Sequence, residues 1–127
     1  MESLTVETTL TLDEAETSVR QQLASVGFGI LSEIDLGATL QAKVNRSIGN
    51  MKILGACNPQ FAYDAITTDR SVALLLPCNV VLDETETGTR ISVPAPAALL
   101  PSRPDITEPV SALLMKALGA VGPVTVS

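Results

Sequence analysis

Apolar and polar residues alternate over residues 3–10 and then change to a helical period. The alternation predicts a strand. Thr11 and Glu14 have the spacing of a capping box, in which two side chains satisfy backbone N–H groups at the start of a helix. Apolar residues then recur at steps of three and four as far as Val26, and Gly27 is suited to the left-handed conformation that ends a helix. The chain is therefore expected to begin with a strand and an amphipathic helix.

A second strand and a short helix follow. Residues 28–34 predict the strand, and Asp35 stands where its side chain can cap the next helix. Leu36, Leu40 and Val44 share one face of that helix because they recur at steps of four. The polar residues after this stripe predict a loop.

The middle of the chain predicts two further strands with a helix between them. Residues 51–57 predict the third strand, and Asn58 and Pro59 follow at the capping and first-turn positions of a helix. The apolar run over residues 71–83 predicts a fourth strand. Pro77 interrupts that strand, because proline has no N–H for the strand ladder.

The last third of the chain predicts a hairpin and a helix. Residues 84–88 are expected to form the hairpin loop, and residues 90–93 the returning strand. A connector stiffened by prolines leads to an amphipathic helix from Thr107 to Gly119. The residues after it are expected to form a frayed tail or a short docked strand.

These elements predict an α+β fold in a single domain over residues 1–127, with its core within residues 4–118. The order is β-α-β-(α)-β-α-β-β-α. It corresponds to a sheet of about five mainly antiparallel strands with two main helices plus one or two short helices. The first six main elements match the split βαβ arrangement of ferredoxin-like folds, with helices on one face of the sheet.

The composition limits the partners of this domain. Aromatic residues make up 2% of the chain, too few for a base-stacking surface, and the net charge is −6 with no cluster of Lys and Arg. We therefore expect neither nucleic acid nor membrane as a partner. No apolar run reaches the roughly 18 residues that span a bilayer, and no secretory signal is recognisable, so we expect a cytoplasmic location. In that reducing compartment both cysteines are expected to be free thiols.

Two similar tripeptides form the candidate site. They are Cys57-Asn58-Pro59 and Pro77-Cys78-Asn79. The first lies where a strand passes into a helix, so free N–H groups and the helix dipole suit an anion or a thiolate. If the third and fourth strands are neighbours, both cysteines flank one pocket. Lys43 is expected to face solvent, and it attracts an anion only if that pocket lies nearby. The alternative is that the cysteines are small core residues and that Asn58 and Pro59 serve only the helix.

Several catalytic and metal sites can be excluded from the residue types. The chain has no His, which removes Ser-His and Cys-His pairs and the commonest transition-metal ligand. Two cysteines are too few for a structural zinc site in one chain, and they lack Cys-x-x-Cys spacing. No dinucleotide fingerprint and no P-loop are present. The sequence therefore predicts no cofactor and no metal, and it leaves open whether the protein is an enzyme.

Four segments of the chain resemble the bacterial and archaeal domain-of-unknown-function family 302. They are Gly27-Phe28-Gly29-Ile30-Leu31-Ser32-Glu33-Ile34-Asp35, then Ala38-Thr39-Leu40 with Lys43, then Ile53-Leu54-Gly55-Ala56-Cys57-Asn58-Pro59 with Ala62, and Leu74-Leu75-Leu76-Pro77-Cys78-Asn79-Val80. The resemblance implies a small α+β domain, commonly a homodimer, with no settled activity. The family's signature residues fall on Lys43, Cys57, Asn58, Pro59, Pro77, Cys78 and Asn79.

The chain departs from the pattern of the family in two places. Family members often carry an aromatic residue where this chain has Met51, and many carry a His where Tyr63 and Asp64 stand. Family chemistry that needs this His therefore cannot apply here.

Three functions remain open on the sequence. The first is a homodimer that binds a small molecule or an anion in a pocket lined by the two Cys-Asn segments. The second is thiol-based redox chemistry or the binding of a soft metal such as Cu(I). The third is a structural or partner-binding module with both cysteines in the core. The aliphatic content also favours self-association.

Overall fold

The computed structural model describes residues 1–127, and its strands form a single sheet. The strands are β1 (Ser3–Thr8), β2 (Gly29–Asp35), β3 (Met51–Cys57), β4 (Cys78–Thr85), β5 (Gly88–Pro94) and β6 (Val124–Val126). The helices are α1 (Leu12–Ser25), α2 (Leu36–Val44), α3 (Pro59–Thr68), α4 (Pro96–Leu99) and α5 (Pro104–Gly119), and a 3₁₀ helix covers Arg70–Leu75. The strand order is β2-β3-β4-β5-β1-β6, and every neighbouring pair is antiparallel.

The α+β class and the antiparallel sheet are confirmed, with six strands where about five were predicted. The sixth strand is the chain end, which pairs with β1 at the edge of the sheet. The proline-rich connector after β5 contains one short helix, α4.

The ferredoxin-like prediction is wrong for the second half of the domain. Strands β1 and β2 point the same way with three strands between them, so β1-α1-β2 is a split βαβ unit. Strands β3 and β4 are instead antiparallel neighbours. The chain therefore returns beside β3 after α3 and the 3₁₀ helix, and does not cross the sheet.

The core lies between one face of the sheet and the two long helices. Strand alternation places every second residue of β1, β3, β4 and β5 on this face. The cluster of buried residues comprises Leu4, Val6, Ala15, Val19, Leu23, Phe28, Leu54, Ala56, Val80, Leu82, Ile91, Val93, Leu114, Ala117 and Leu118. Helices α1 and α5 also contact each other, so the middle of the sheet is fully covered.

The predicted starts of α1, α2 and α3 are confirmed, whereas α5 begins at Pro104 and not at the predicted Thr107, because proline fits the first turn of a helix. The Thr11 hydroxyl accepts a hydrogen bond from the Glu14 N–H at 3.2 Å, and the Glu14 carboxylate accepts one from the Thr11 N–H at 2.9 Å. Asp35 caps α2 through the Ala38 N–H. Gly27 has φ +91°, which fits its predicted role after α1.

Two apolar segments differ from the prediction: one does not form the predicted strand, and the other does not bury the whole of its predicted apolar stripe. Residues 71–76 belong to the 3₁₀ helix and its end, because Asp69 accepts a hydrogen bond from the Ser71 N–H and begins that helix. On α2, the buried residue is Gly37, and Val44 of the predicted stripe is exposed. A side chain at Gly37 would collide with the Gly49 carbonyl oxygen. Glycine at this position therefore lets α2 pack closely against the backbone around Gly49.

An ionic network joins side chains of α1, β2 and β3 beside the core. Lys52 contacts Glu16 and Glu33, each at 2.8 Å, and Arg20 contacts the same two carboxylates at 2.9 and 3.0 Å. Burial by itself raises the pKa of Glu16, but the hydrogen bonds from Lys52 and Arg20 outweigh it and hold that pKa below its ordinary value. The ammonium group of Lys52 is thus paired with carboxylates of the same domain.

Candidate functional site

A cavity of about 430 Å³ lies at one end of the sheet, beside the first turns of α5. Its floor is the end of β3 and the start of β4. Its walls come from α3, the 3₁₀ helix, α4 and the first turns of α5. The lining residues are Met1, Phe28, Ala56, Cys57, Asn58, Phe61, Ala62, Ala65, Val72, Leu74, Leu75, Leu76, Pro77, Cys78, Asn79, Pro94, Pro96, Leu99, Leu100, Ile106, Thr107 and Val110.

Both cysteines border this cavity. Cys57 is the last residue of β3 and Cys78 the first of β4, and the strand register pairs Cys78 with Ala56. Each thiol is free and its residue is half-buried. The two Cys-Asn segments, which are about twenty residues apart in the chain, therefore meet at one solvent-connected hollow.

The surroundings of Cys78 favour the neutral thiol. Burial raises the pKa of Cys78, and a negative charge on the nearby Cys57 would raise it further. A thiolate nucleophile or soft-metal ligand needs the opposite shift. Cys78 is thus suited to apolar contacts and weak hydrogen bonds at neutral pH.

The side chain of Asn58 forms hydrogen bonds within the protein. Its side-chain oxygen accepts from the Phe61 N–H at 3.2 Å, which caps α3, and its side-chain nitrogen donates to the Val26 carbonyl at 3.3 Å. The same nitrogen lies 3.0 Å from the point where a Cβ on Gly27 would stand. Asn58 therefore ties the end of α1 to the start of α3, and this uses its oxygen and one of the two N–H groups of its amide.

The other predicted site residues are distributed unevenly. Pro77 and Asn79 line the cavity, and Asn79 lies opposite Gly55 in the strand register. A Cβ on Gly55 would stand 2.9 Å from Cγ of Pro77, so only glycine lets the proline ring approach β3 this closely. Pro59, at the first position of α3, and Lys43, in the last turn of α2, are exposed and do not line the cavity.

One cation beside the cavity walls is already paired. Arg103, just before α5, lies 2.8 Å from the Asp105 carboxylate and 4.0 Å from that of Asp69, which caps the 3₁₀ helix. Hydrogen bonding to Asp105 raises the pKa of Arg103. This ion pair joins two walls and uses the charge of Arg103 within the protein.

No group of three or more His, Cys, Asp or Glu side chains is placed to hold a metal ion. None of the helices is both long enough and apolar enough to cross a membrane.

Comparison with known proteins identifies the family. The sequence profile described as "Domain of unknown function DUF302" matches residues 4–121 of the chain. The chain belongs to the DUF302 family. The match includes all the elements that form the cavity walls and floor, so the cavity lies within the DUF302 domain.

A solved DUF302 structure has the same fold. The crystal structure of an uncharacterized conserved DUF302 protein from Bacillus stearothermophilus is similar with a TM-score of 0.87 and 27% sequence identity. The similarity covers 93% of this chain and 96% of that chain. No curated protein matches the sequence.

Sequence reasoning missed the wall residues of this DUF302 site. Thr107 was assigned only to a helix start, and Val72 and Leu74 to a strand. A signal existed for the 3₁₀ helix, because Asp69 followed by Ser71 favours a local side-chain cap over a strand. No comparable signal predicts that Thr107 borders a cavity, since this depends on how α4 and α5 pack.

Proposed function

We propose that this DUF302 protein binds a small molecule in the cavity between its two Cys-Asn segments. The observation that carries the proposal is that Cys57 and Cys78 border one open cavity of about 430 Å³. Pockets that hold small ligands measure about 300–1,000 Å³ and are mostly apolar with few polar groups. The lining fits this description.

The alternatives have less support. Thiol-based redox chemistry needs a stabilised thiolate, whereas burial raises the pKa of Cys78. A purely structural module would seal both sulfurs in the core, whereas both cysteines are half-buried beside a cavity. Two free thiols agree with a cytoplasmic location, which we include in the proposal.

We propose further that the binding domain is a homodimer that associates through β2 and α2. Apolar side chains are exposed together in this region, at Leu31 and Ile34 on β2, Val44 on α2 and Ile48 in the following loop. Exposed apolar patches of this kind mark interaction surfaces. A bulge at Leu31 interrupts the strand register, so we expect contact through side chains and not through strand pairing.

Light scattering coupled to size-exclusion chromatography tests the dimer. The wild-type protein should elute with twice the chain mass at micromolar concentration, and Ile34→Glu should give the monomer mass. Met115→Glu, which adds the same charge at an exposed position on α5, should remain dimeric. A monomeric wild-type protein would overturn this part of the proposal.

Fluorescence of the uncharged probe N-phenyl-1-naphthylamine tests the cavity. The probe should bind the wild-type protein with saturable enhancement of its emission. Ala62→Phe, which adds a ring to a half-buried lining position on α3, should abolish that enhancement. Ala112→Phe makes the same change at an exposed position on α5 and should leave binding intact. Equal binding to both variants would place the probe elsewhere and contradict the proposal.

A further inference from the structure

Thr107 is a buried polar side chain with no partner in the protein. The residue is only 4% exposed and lines the cavity. Its backbone N–H donates to the Arg103 carbonyl, but the hydroxyl makes no hydrogen bond. The hydroxyl oxygen is not fully sealed from solvent, because every side-chain oxygen or nitrogen that is sealed has a partner. A hydroxyl in this position can donate to or accept from a guest molecule.

The lining carries no charged side chain. Its polar side chains are limited to two thiols, the amides of Asn58 and Asn79, and the Thr107 hydroxyl. Three lining residues, Pro77, Pro94 and Pro96, have no backbone N–H to offer to an anion. Burying a charged group in such surroundings costs far more than burying a neutral one.

The pairing of Arg103 and the groups at the starts of α3 and α5 also disfavour an anionic ligand. Arg103 is neutralised by Asp105 and Asp69, and Asp105 already places a carboxylate in the first turn of α5. The side-chain oxygen of Asn58 occupies the start of α3. Neither helix start therefore offers the combination of free N–H groups and positive charge that anions require.

The opening of the cavity is apolar as well. Leu74 lines the cavity and is 87% exposed, and Leu99 on the opposite wall is also exposed. Large apolar side chains at a rim extend the apolar surface that an entering molecule can cover. The apolar character thus continues from the floor to solvent.

We propose that the ligand is a neutral, largely apolar molecule with one hydrogen-bonding group that pairs with Thr107. This inference rests on the proposed function and narrows it to a ligand class. It excludes the small anion that the sequence left open as an alternative. The thiols of Cys57 and Cys78 then serve as soft, uncharged contacts for the body of the ligand.

Competition with a matched pair of probes tests this class. Octan-1-ol and octanoate share a chain length and differ in charge, and each is titrated against bound N-phenyl-1-naphthylamine at neutral pH. Octan-1-ol should displace the probe at a concentration at least about tenfold lower than octanoate. In Thr107→Val, the affinity for octan-1-ol should fall by about three- to tenfold, and the affinity for octanoate should change little. Thr107→Ser, which keeps the hydroxyl, should retain most of the wild-type affinity.

The outcomes separate the two proposals. If octanoate competes as well as octan-1-ol, or if Thr107→Val binds octan-1-ol like the wild type, the ligand class is wrong while the cavity remains a binding site. If neither competitor displaces a probe that Ala62→Phe excludes, the ligand class is again overturned. If the probe itself does not bind the cavity, the proposed function fails first.

Discussion

The middle of β3 and β4, and the edge where β3 ends and β4 begins, carry similar apolar side chains but are covered in different ways. In the middle, Leu54, Val80 and Leu82 are fully buried in the core cluster, and α1 packs on β4. At the cavity, Cys57 and Cys78 are half-buried, and the walls are α3, the 3₁₀ helix, α4 and only the first turns of α5. The same sheet is therefore a packed core in one place and the floor of a hollow in another.

The difference between these two regions shows which feature of the chain leaves space for a ligand. Long helices present a continuous apolar stripe that fills the groove above a sheet. Short elements that change direction every few residues cannot match the surface beneath them as closely. The space at the end of β3 and the start of β4 follows from the short elements that form most of its walls, since its apolar composition is like that of the core.

The largest expected effect is on the packed side of this comparison. Leu82→Ala should lower the free energy of unfolding by about 2–5 kcal/mol, because it removes a fully buried side chain from tight packing. Leu74→Ala, at the rim of the cavity, should change it by less than about 0.5 kcal/mol. Urea denaturation of both variants measures the difference. Similar losses for the two leucines would mean that the cavity end is packed like the core.

Asn58 should have an intermediate effect, on stability and not on binding. Asn58→Ala removes the cap of α3 and the bond to the Val26 carbonyl, so it should cost about 1–2 kcal/mol of unfolding free energy. Asn58→Ser keeps a capping oxygen and should lose less. Probe affinity should persist in both variants. A stable Asn58→Ala protein that no longer binds the probe would instead make Asn58 a ligand residue.

The smallest effect concerns the reactivity of Cys78. In Cys57→Ser, the only remaining thiol is Cys78, and burial should keep its pKa above its ordinary value of 9.0. The rate of its reaction with iodoacetamide increases with pH as the thiolate forms. This increase should therefore occur at a higher pH in the folded protein than in an unfolded control peptide. Fast reaction at neutral pH would contradict the neutral thiol and revive the redox alternative.

The raised pKa of Cys78 also determines the sign of a pH effect on stability. The unfolded chain loses the thiol proton first, so the stabilising contribution is complete below the ordinary thiol pKa. It declines as the pH rises towards the folded-state pKa. Cys78→Ala should remove this part of the decline, which thermal unfolding at a series of alkaline pH values would measure.

The elements with local signals could be predicted from the sequence. The Thr11 and Glu14 capping box, the Asp35 and Asn58 caps and the glycine after α1 act through residues three or four positions apart. Their chemistry is complete within one helical turn, so the sequence contains it. The meeting of the two Cys-Asn segments could be predicted only on the condition that β3 and β4 are neighbours, which the structure shows.

The remainder depends on contacts between distant segments. The apolar run over residues 71–76 has the composition of a buried strand, and a short run of this kind does not distinguish a strand from a helix. The antiparallel return of β4 reverses the expected crossover, and no residue in β3 or α3 encodes it locally. Thr107 joins the site only through the packing of α5 against the cavity.

A crystal structure under xenon pressure tests the central claim most directly, since xenon enters apolar cavities that admit small guests. The account predicts xenon density between Cys78, Val72 and Val110, and none within the packed middle of the sheet. Side chains that close over this space and leave no xenon beside the two cysteines would contradict it.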